Sequence, residues 1–391
     1  MIPFPVYTLN ESSLNKLMHN EKIKSLLKTI LVLGFVYLFL VSIGLMGIAF
    51  KGFGKEFAEN LIKTTSNPFV GLFIGILATS IVQSSSTTTS IVVGMVGSGV
   101  ITISNAIPIV MGANIGTTVT GMLISLGHIG RREEFRRAVS GGTLDGFFKI
   151  MCVAIIFPLE MATGILSKIG AWMSSTFVNI GGIKFTSPIK AATEPIVNFI
   201  EILILKLKVS PGITYSLMLI ASLAILFAAL YYIVKLMRTM VAKRAEIVLN
   251  NVIGKHGILA IFAATFFTAI IQSSSITIAL MIPLIAAGLL TLDTMYPLIM
   301  GANIGTTVTA ILASFATGNI AALTVAFVHF LFNMIGLICI YPITILRKIP
   351  IILSEKLGNL AYKKRRYALF YTLIVFFIIP ALFIFGFKIL K

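Results

Sequence analysis

The residues best suited to chemistry in this chain carry no charge. Two Gln-Ser-Ser-Ser runs, Gln83 to Ser86 and Gln272 to Ser275, stand inside apolar sequence, and the first belongs to a hydroxyl-rich stretch from Thr79 to Ser90. Facing hydrocarbon, such a stretch would be expensive, so it must face protein, water or a ligand. Where a helix is interrupted, the new amino terminus presents unpaired N–H groups and a positive dipole end, both suited to an oxyanion. Hydroxyl, amide and carbonyl oxygens at the same break are hard donors of the kind that alkali cations accept. One interruption can therefore hold an anion beside a cation, and their attraction in a medium of low dielectric is a physical basis for coupled movement.

The runs belong to a repeat. Residues 83–120 align with 272–309 at a constant shift of 189, and 18 of the 38 positions are identical. Thr88, Gly99, Thr102 and Pro108 return as Thr277, Gly288, Thr291 and Pro297, and the unbroken run Met111 to Thr120 returns as Met300 to Thr309. Within that run Asn114, Thr117 and Thr118, with their counterparts Asn303, Thr306 and Thr307, add donors and acceptors, while Gly112 and Gly116, like Gly301 and Gly305, permit close backbone approach. Small and hydroxyl residues also serve simply to pack membrane helices. A duplicated interruption with half-span flanks asks for more than packing. At a shift of 184 the similarity continues loosely, with Leu144 to Lys149 matching Val328 to Asn333, and the extra residues of the first copy fall around Arg131 to Arg137, read as a charged connector.

The elements that must position these residues follow from composition. Of 391 residues, 57% are hydrophobic and 11% charged, and the mean hydropathy is +1.02. Apolar stretches near 29–50, 101–126, 138–159, 213–235, 295–316, 320–343 and 368–388 are long enough to cross a bilayer as helices. Phe69–Val82 and Ile91–Val100 are each about half that length, as are Ile258–Ile271 and Ile276–Leu290. Each pair predicts a re-entrant hairpin of half-helices meeting at its Gln-Ser-Ser-Ser turn. The formal charge of +18 is concentrated in short loops beside apolar segments, the distribution expected of cytoplasmic loops, so nucleic acid is excluded as a partner and membrane lipid is implied. Cys152 and Cys339 lie within apolar segments and imply no disulfide framework.

Placing the basic clusters at 131–137, 235–244 and 347–366 inside makes the two Asn114 and Asn303 runs antiparallel across the membrane. The fold class expected is thus an all-α membrane protein of two inverted-topology repeats, each with a re-entrant hairpin and a broken-helix binding site. Its divisions are a cytoplasmic amphipathic segment at 1–28 and a first repeat at 29–160 with its hairpin at about 68–100. An extracellular connector follows at 161–211, read as partly ordered interfacial helix in which Ser187-Pro188 and Glu194-Pro195 break any continuous span, with Trp172 as an interfacial anchor. A second repeat spans 212–345 with its hairpin at about 257–289, and a basic cytoplasmic segment with a final span closes the chain at 346–391. The polar residues 1–27 lack the features of a signal peptide, so the protein is multi-pass with its amino terminus in the cytoplasm.

At these residues the sequence resembles the type II sodium–phosphate cotransporters and their bacterial relatives. The resemblance covers roughly 65–210 and 250–345 and includes Phe135 to Ala138, Pro158 to Glu160, Lys190, Thr193 to Pro195, and His329 to Asn333. It implies a sodium-coupled symporter importing inorganic phosphate by alternating access through a bacterial inner (plasma) membrane. Phosphate and sodium would be cargo, no cofactor is expected beyond sodium as the coupling ion, and homodimeric assembly is left open. Carried over residue by residue, Gln83, Ser84, Ser85, Gln272, Ser273 and Ser274 would line the phosphate and sodium sites, with Ser86, Thr88, Asn114, Thr117, Thr118, Ser275, Thr277, Asn303, Thr306 and Thr307 binding sodium or supporting them. Asp145, Gly146 and Lys149 depart from the family pattern, as an ion pair one helical turn apart or as part of the site. Ser187 falls where electrogenic animal members carry Asp, which implies an electroneutral two-sodium cycle.

Other readings remain at this point: a transporter or channel for a different small oxyanion, or phosphate efflux. Enzymatic catalysis is disfavoured, because His19, His128, His256 and His329 form no metal-spaced pair and neither Ser84 nor Ser273 has a His or Asp partner nearby in sequence.

Overall fold

The computed structural model describes residues 11–179, 188–252 and 257–389, and every regular element among them is helical. Among the described residues seven segments are long and apolar enough to cross a membrane: Ile23–Gly52, Ile103–His128, Arg132–Thr163, Pro211–Met240, Leu292–Thr317, Ile320–Ile340 and Arg366–Phe387. Helices satisfy their backbone groups internally, which hydrocarbon demands. The chain is an all-α, multi-pass membrane protein.

Along the chain, α1 (Glu11–Gly52) leads into the short α2 (Gly54–Thr65), and a 98° bend separates α2 from α3 (Pro68–Val82). The bend is written locally: Asn67 accepts from the backbone N–H groups of Phe69 and Val70, and Pro68 opens the helix, where its missing N–H costs nothing. There follow α4 (Ser85–Ser98), α5 (Ile103–Gly116), α6 (Val119–Ser125), α7 (Arg132–Thr163), α8 (Ile165–Asn179), α9 (Pro188–Leu205) and α10 (Pro211–Val252). The second copy of the repeat supplies α11 (Gly257–Ile271), α12 (Ser274–Ala286), α13 (Leu292–Gly305) and α14 (Thr307–Thr317). After α15 (Ile320–Ile340) and α16 (Thr344–Lys363), a π-helical turn at Ile374–Ile378 joins α17 (Arg366–Leu373) to α18 (Ile379–Ile389).

The repeat in sequence is a repeat in packing. In the first copy α3 lies on α5 so closely that a Cβ on Gly112 would stand 1.9 Å from the Leu72 carbonyl oxygen. In the second, α11 lies on α13, and a Cβ on Gly301 would stand 2.2 Å from the Ile261 carbonyl oxygen. Leu72 and Ile261 are themselves 189 apart, so the contact is reproduced residue for residue. The helices between them, α4 and α12, each reach the other half. Asn319, capping α15, donates to the Gly97 carbonyl of α4 at 3.0 Å, and Ile285 of α12 packs against Gly141 of α7.

Three local expectations are corrected. Arg132 to Arg137 form the opening turns of α7 and not a loop, because Glu133 and Glu134 sit favourably at its amino terminus and pair with Arg136 at 2.9 Å and Arg131 at 2.7 Å. Pro195 lies inside α9 instead of breaking it; Val197 of the same helix is buried against Gly44 of α1, and such packing holds a helix that has lost one hydrogen bond. The basic stretch after Thr344 is not a loop but α16, packed so tightly on α7 that a Cβ on Gly358 would meet the Ser140 hydroxyl at 2.1 Å. Ser187, named for its bearing on charge movement, lies outside the described residues.

Candidate functional site

Both Gln-Ser-Ser-Ser turns adopt one backbone design. α3 ends at Gln83 with φ 57°, and α11 ends at Gln272 with φ 61°, so each glutamine occupies the left-handed region that usually falls to glycine. Their N–H groups donate to the Thr79 and Thr268 carbonyls, each at 2.6 Å. The next residues are extended, Ser84 at φ −147° and ψ 105° and Ser273 at φ −148° and ψ 106°, and each starts a new helix. Ser84 accepts from Thr87 N–H at 3.2 Å and Thr87 hydroxyl at 2.8 Å; Ser273 makes no such capping bond, so the first turn of α12 has no side-chain acceptor.

The two turns meet. The Ser86 hydroxyl donates to the Gln272 carbonyl at 3.2 Å and lies 3.2 Å from the Thr306 hydroxyl. Beside them lies a cavity of about 250 Å³, lined by Gln83, Ser84, Ser85, Ser86 and Thr87 from one half and Ser273, Ser274, Ser275 and Thr306 from the other. Phe227, Leu230, Tyr231 and Val234 of α10 wall it, and no described lining residue is charged. The amino termini of α4 and α12 thus open on a cavity rich in hydroxyls, an arrangement that donates to an oxyanion through N–H and O–H and offers oxygen to a cation.

A family match accompanies this geometry: the Na+/Pi-cotransporter model matches residues 38–234 and 225–339. The chain belongs to that Na+/Pi-cotransporter family. Among curated relatives of this cotransporter-family chain, sodium-dependent phosphate transport protein 2B of Pongo abelii is 33% identical, covering 97% of this chain and 69% of its own length. The 2B protein of Homo sapiens is 34% identical over 90% of this chain and 64% of its own length, and the 2A protein of Rattus norvegicus 33% over 92% and 68%. The chain therefore spans about two thirds of the length of these relatives, which are named as transport proteins and not enzymes. No solved structure matches the chain significantly.

The remaining residues named from sequence do not line the cotransporter's cavity. The Gln272 amide oxygen is buried with no hydrogen-bond partner. Thr88 donates to the Ser84 carbonyl at 3.2 Å, and the Thr277 hydroxyl pairs with Thr268 at 2.9 Å. Thr117, Thr118 and Thr307 donate to carbonyls of Ala113, Ile115 and Ile304 in their own turns. Asn114 accepts from Asn333 at 3.4 Å, whereas Asn303 donates to the Asp145 carboxylate at 2.7 Å. Asp145 also pairs with Lys149 at 3.5 Å, so the ion pair one turn apart on α7 exists, buried, and touches the repeated run. Neither ring nitrogen of buried His329 has a hydrogen-bond partner. Sequence reasoning missed the α10 wall, because Phe227 and Tyr231 look like any aromatic residues of an apolar span.

Proposed function

We propose that the chain is a symporter that imports inorganic phosphate with sodium by alternating access, and that the cavity between the two Gln-Ser turns is its binding site. The observation that carries this is the meeting of both turns at Ser86, Gln272 and Thr306, with two helix amino termini opening on one uncharged, hydroxyl-lined cavity. Membership of a family described as Na+/Pi-cotransporters and relatives named sodium-dependent phosphate transport proteins supply the ions.

In this reading Gln83, Ser84, Ser85, Gln272, Ser273 and Ser274 hold phosphate and sodium, Ser86, Thr306 and Ser275 complete the oxygen set, and Thr88 and Thr277 support it through their bonds to Ser84 and Thr268. Asn114, Thr117, Thr118, Asn303 and Thr307 hold the framework. The anion takes N–H and hydroxyl donors, and sodium, as coupling ion, takes the oxygens beside it. At about 4 Å and an effective dielectric near 20 the two ions attract by about 4 kcal/mol, which disfavours loading either alone. The repeats have opposite topology in the membrane, α3–α4 and α11–α12 are re-entrant hairpins, and the amino terminus is cytoplasmic in a bacterial inner membrane; the basic clusters support that orientation.

The test is labelled-phosphate uptake into proteoliposomes by the wild type, Gln83→Ala and Gln272→Ala, with unlabelled arsenate, sulfate and phosphate as competitors. Uptake should be lost in both variants and be competed best by phosphate. Unimpaired variants, or sulfate competing as well as phosphate, would overturn the assignment.

A further inference from the structure

At the Asp145–Lys149 pair the two halves differ in charge, in the buried interior of an otherwise shared framework. At the repeat's shift of 184, Asp145 corresponds to His329 and Lys149 to Asn333. On α15 the corresponding turn is neutral, and its Asn333 amide meets Asn114 at 3.4 Å. On α7 the same framework carries an ammonium and a carboxylate 3.5 Å apart, with side-chain exposures of 1% and 3%. One half shows that the framework closes without charge, so packing does not call for the ions in the other. Burying an ion pair is seldom a net gain over uncharged residues of similar volume, which also argues against a purely structural purpose.

The oxygens at the Asp145–Asn303 contact, one of them facing the Lys149 ammonium, are suited to a cation. Asp145 Oδ1 takes the Asn303 amide at 2.7 Å, Asp145 Oδ2 accepts no hydrogen bond, and Asn303 Oδ1 is buried without a partner. Carboxylate and amide oxygen are the hard donors that sodium accepts. Asn303 also lies one turn before Thr306, whose hydroxyl meets Ser86 at the cavity, so occupancy of this site bears on the cavity's lip.

We propose that Asp145 and Asn303 form a cation site whose occupant is the Lys149 ammonium, a tethered cation standing where a mobile sodium ion would otherwise bind. Removing the ammonium leaves a buried carboxylate that recruits sodium, so the chain gains a sodium ion. Removing both charges returns it to the original number. The inference builds on the sodium coupling proposed above, but its readout is sodium binding, which does not require transport.

The test is equilibrium binding of radioactive sodium to the purified full-length protein, with melting temperature followed against sodium at constant ionic strength, for the wild type, Lys149→Met, Lys149→Asn and Asp145→Asn/Lys149→Met. Both single variants should bind one sodium more than the wild type and melt at temperatures that climb with sodium. The double variant should match the wild type in both respects. Single variants with unchanged sodium stoichiometry would overturn the proposal. So would single variants stabilised by lowered pH and not by sodium, because the carboxylate would then be taking a proton. Failure of the single variants to fold even in high sodium counts against it equally, since sodium should replace the lost charge. A wild type that moves phosphate without sodium would sink the coupling reading alone and leave the difference between single variants and wild type as the measure of this site.

Discussion

Replacing Gln83 or Gln272 by glycine should raise stability while abolishing transport. Each glutamine sits at φ near 60°, the only described non-glycine residues with positive φ besides Lys208. Holding a side chain in that region costs roughly 1–2 kcal/mol, and glycine removes the cost. Against this, glycine loses more backbone freedom on folding, by roughly 0.5–1 kcal/mol. The balance is a gain of about 0.5–1 kcal/mol at each position. At Gln272 a second contribution has the same sign, since its buried, unpartnered amide oxygen is lost with the side chain, and an unsatisfied buried acceptor costs about 1–3 kcal/mol. The backbone of the turn survives, because glycine keeps the N–H that donates to Thr79 or Thr268. Chemical denaturation of purified protein measures stability, and proteoliposome uptake measures transport. Glycine variants that are less stable would refute the claim of strain, and stable variants that transport normally would refute the claim that these side chains serve the cargo.

The helix pairs and the meeting of the turns give further expectations. Gly112→Ala or Gly301→Ala should prevent close packing of α5 on α3 or α13 on α11, since the added carbon would fall 1.9 or 2.2 Å from a carbonyl oxygen; the cost should reach or exceed the roughly 1–3 kcal/mol of ordinary overpacking, read as lost melting temperature against Gly47→Ala, where nothing lies within 4 Å. Ser86→Ala should cost about 0.5–1.5 kcal/mol, and a double-mutant cycle with Thr306→Val should show coupling; additive effects would mean that the hydroxyl contact contributes nothing. Glu160→Gln should weaken the start of α8, where the carboxylate accepts from Leu166 N–H at 2.6 Å and Ser167 N–H at 3.2 Å, by up to about 2 kcal/mol, without altering the sodium dependence of uptake.

Much of the architecture is legible because the duplicated run carries its own geometry. Gly112 and Gly301 announce close approach, and Ser84 and Ser273 announce helix starts. What the sequence hides is of two kinds. The polar helix α16 reads as a basic loop segment, because hydropathy marks spans and is silent on polar helices. Partners distant in sequence are also invisible: Asn114 and Asn303 look equivalent, yet one meets Asn333 and the other Asp145, a difference that only packing decides. The left-handed glutamines are hidden too, since propensity assigns that conformation to glycine and asparagine.

The most direct measurement is initial phosphate uptake into proteoliposomes with inward sodium, potassium and proton gradients imposed in turn at fixed membrane potential. Uptake above equilibrium with the sodium gradient alone is the expected result. Equal accumulation with potassium or protons, or uptake that never exceeds equilibrium, would contradict sodium-coupled transport through the joined turns.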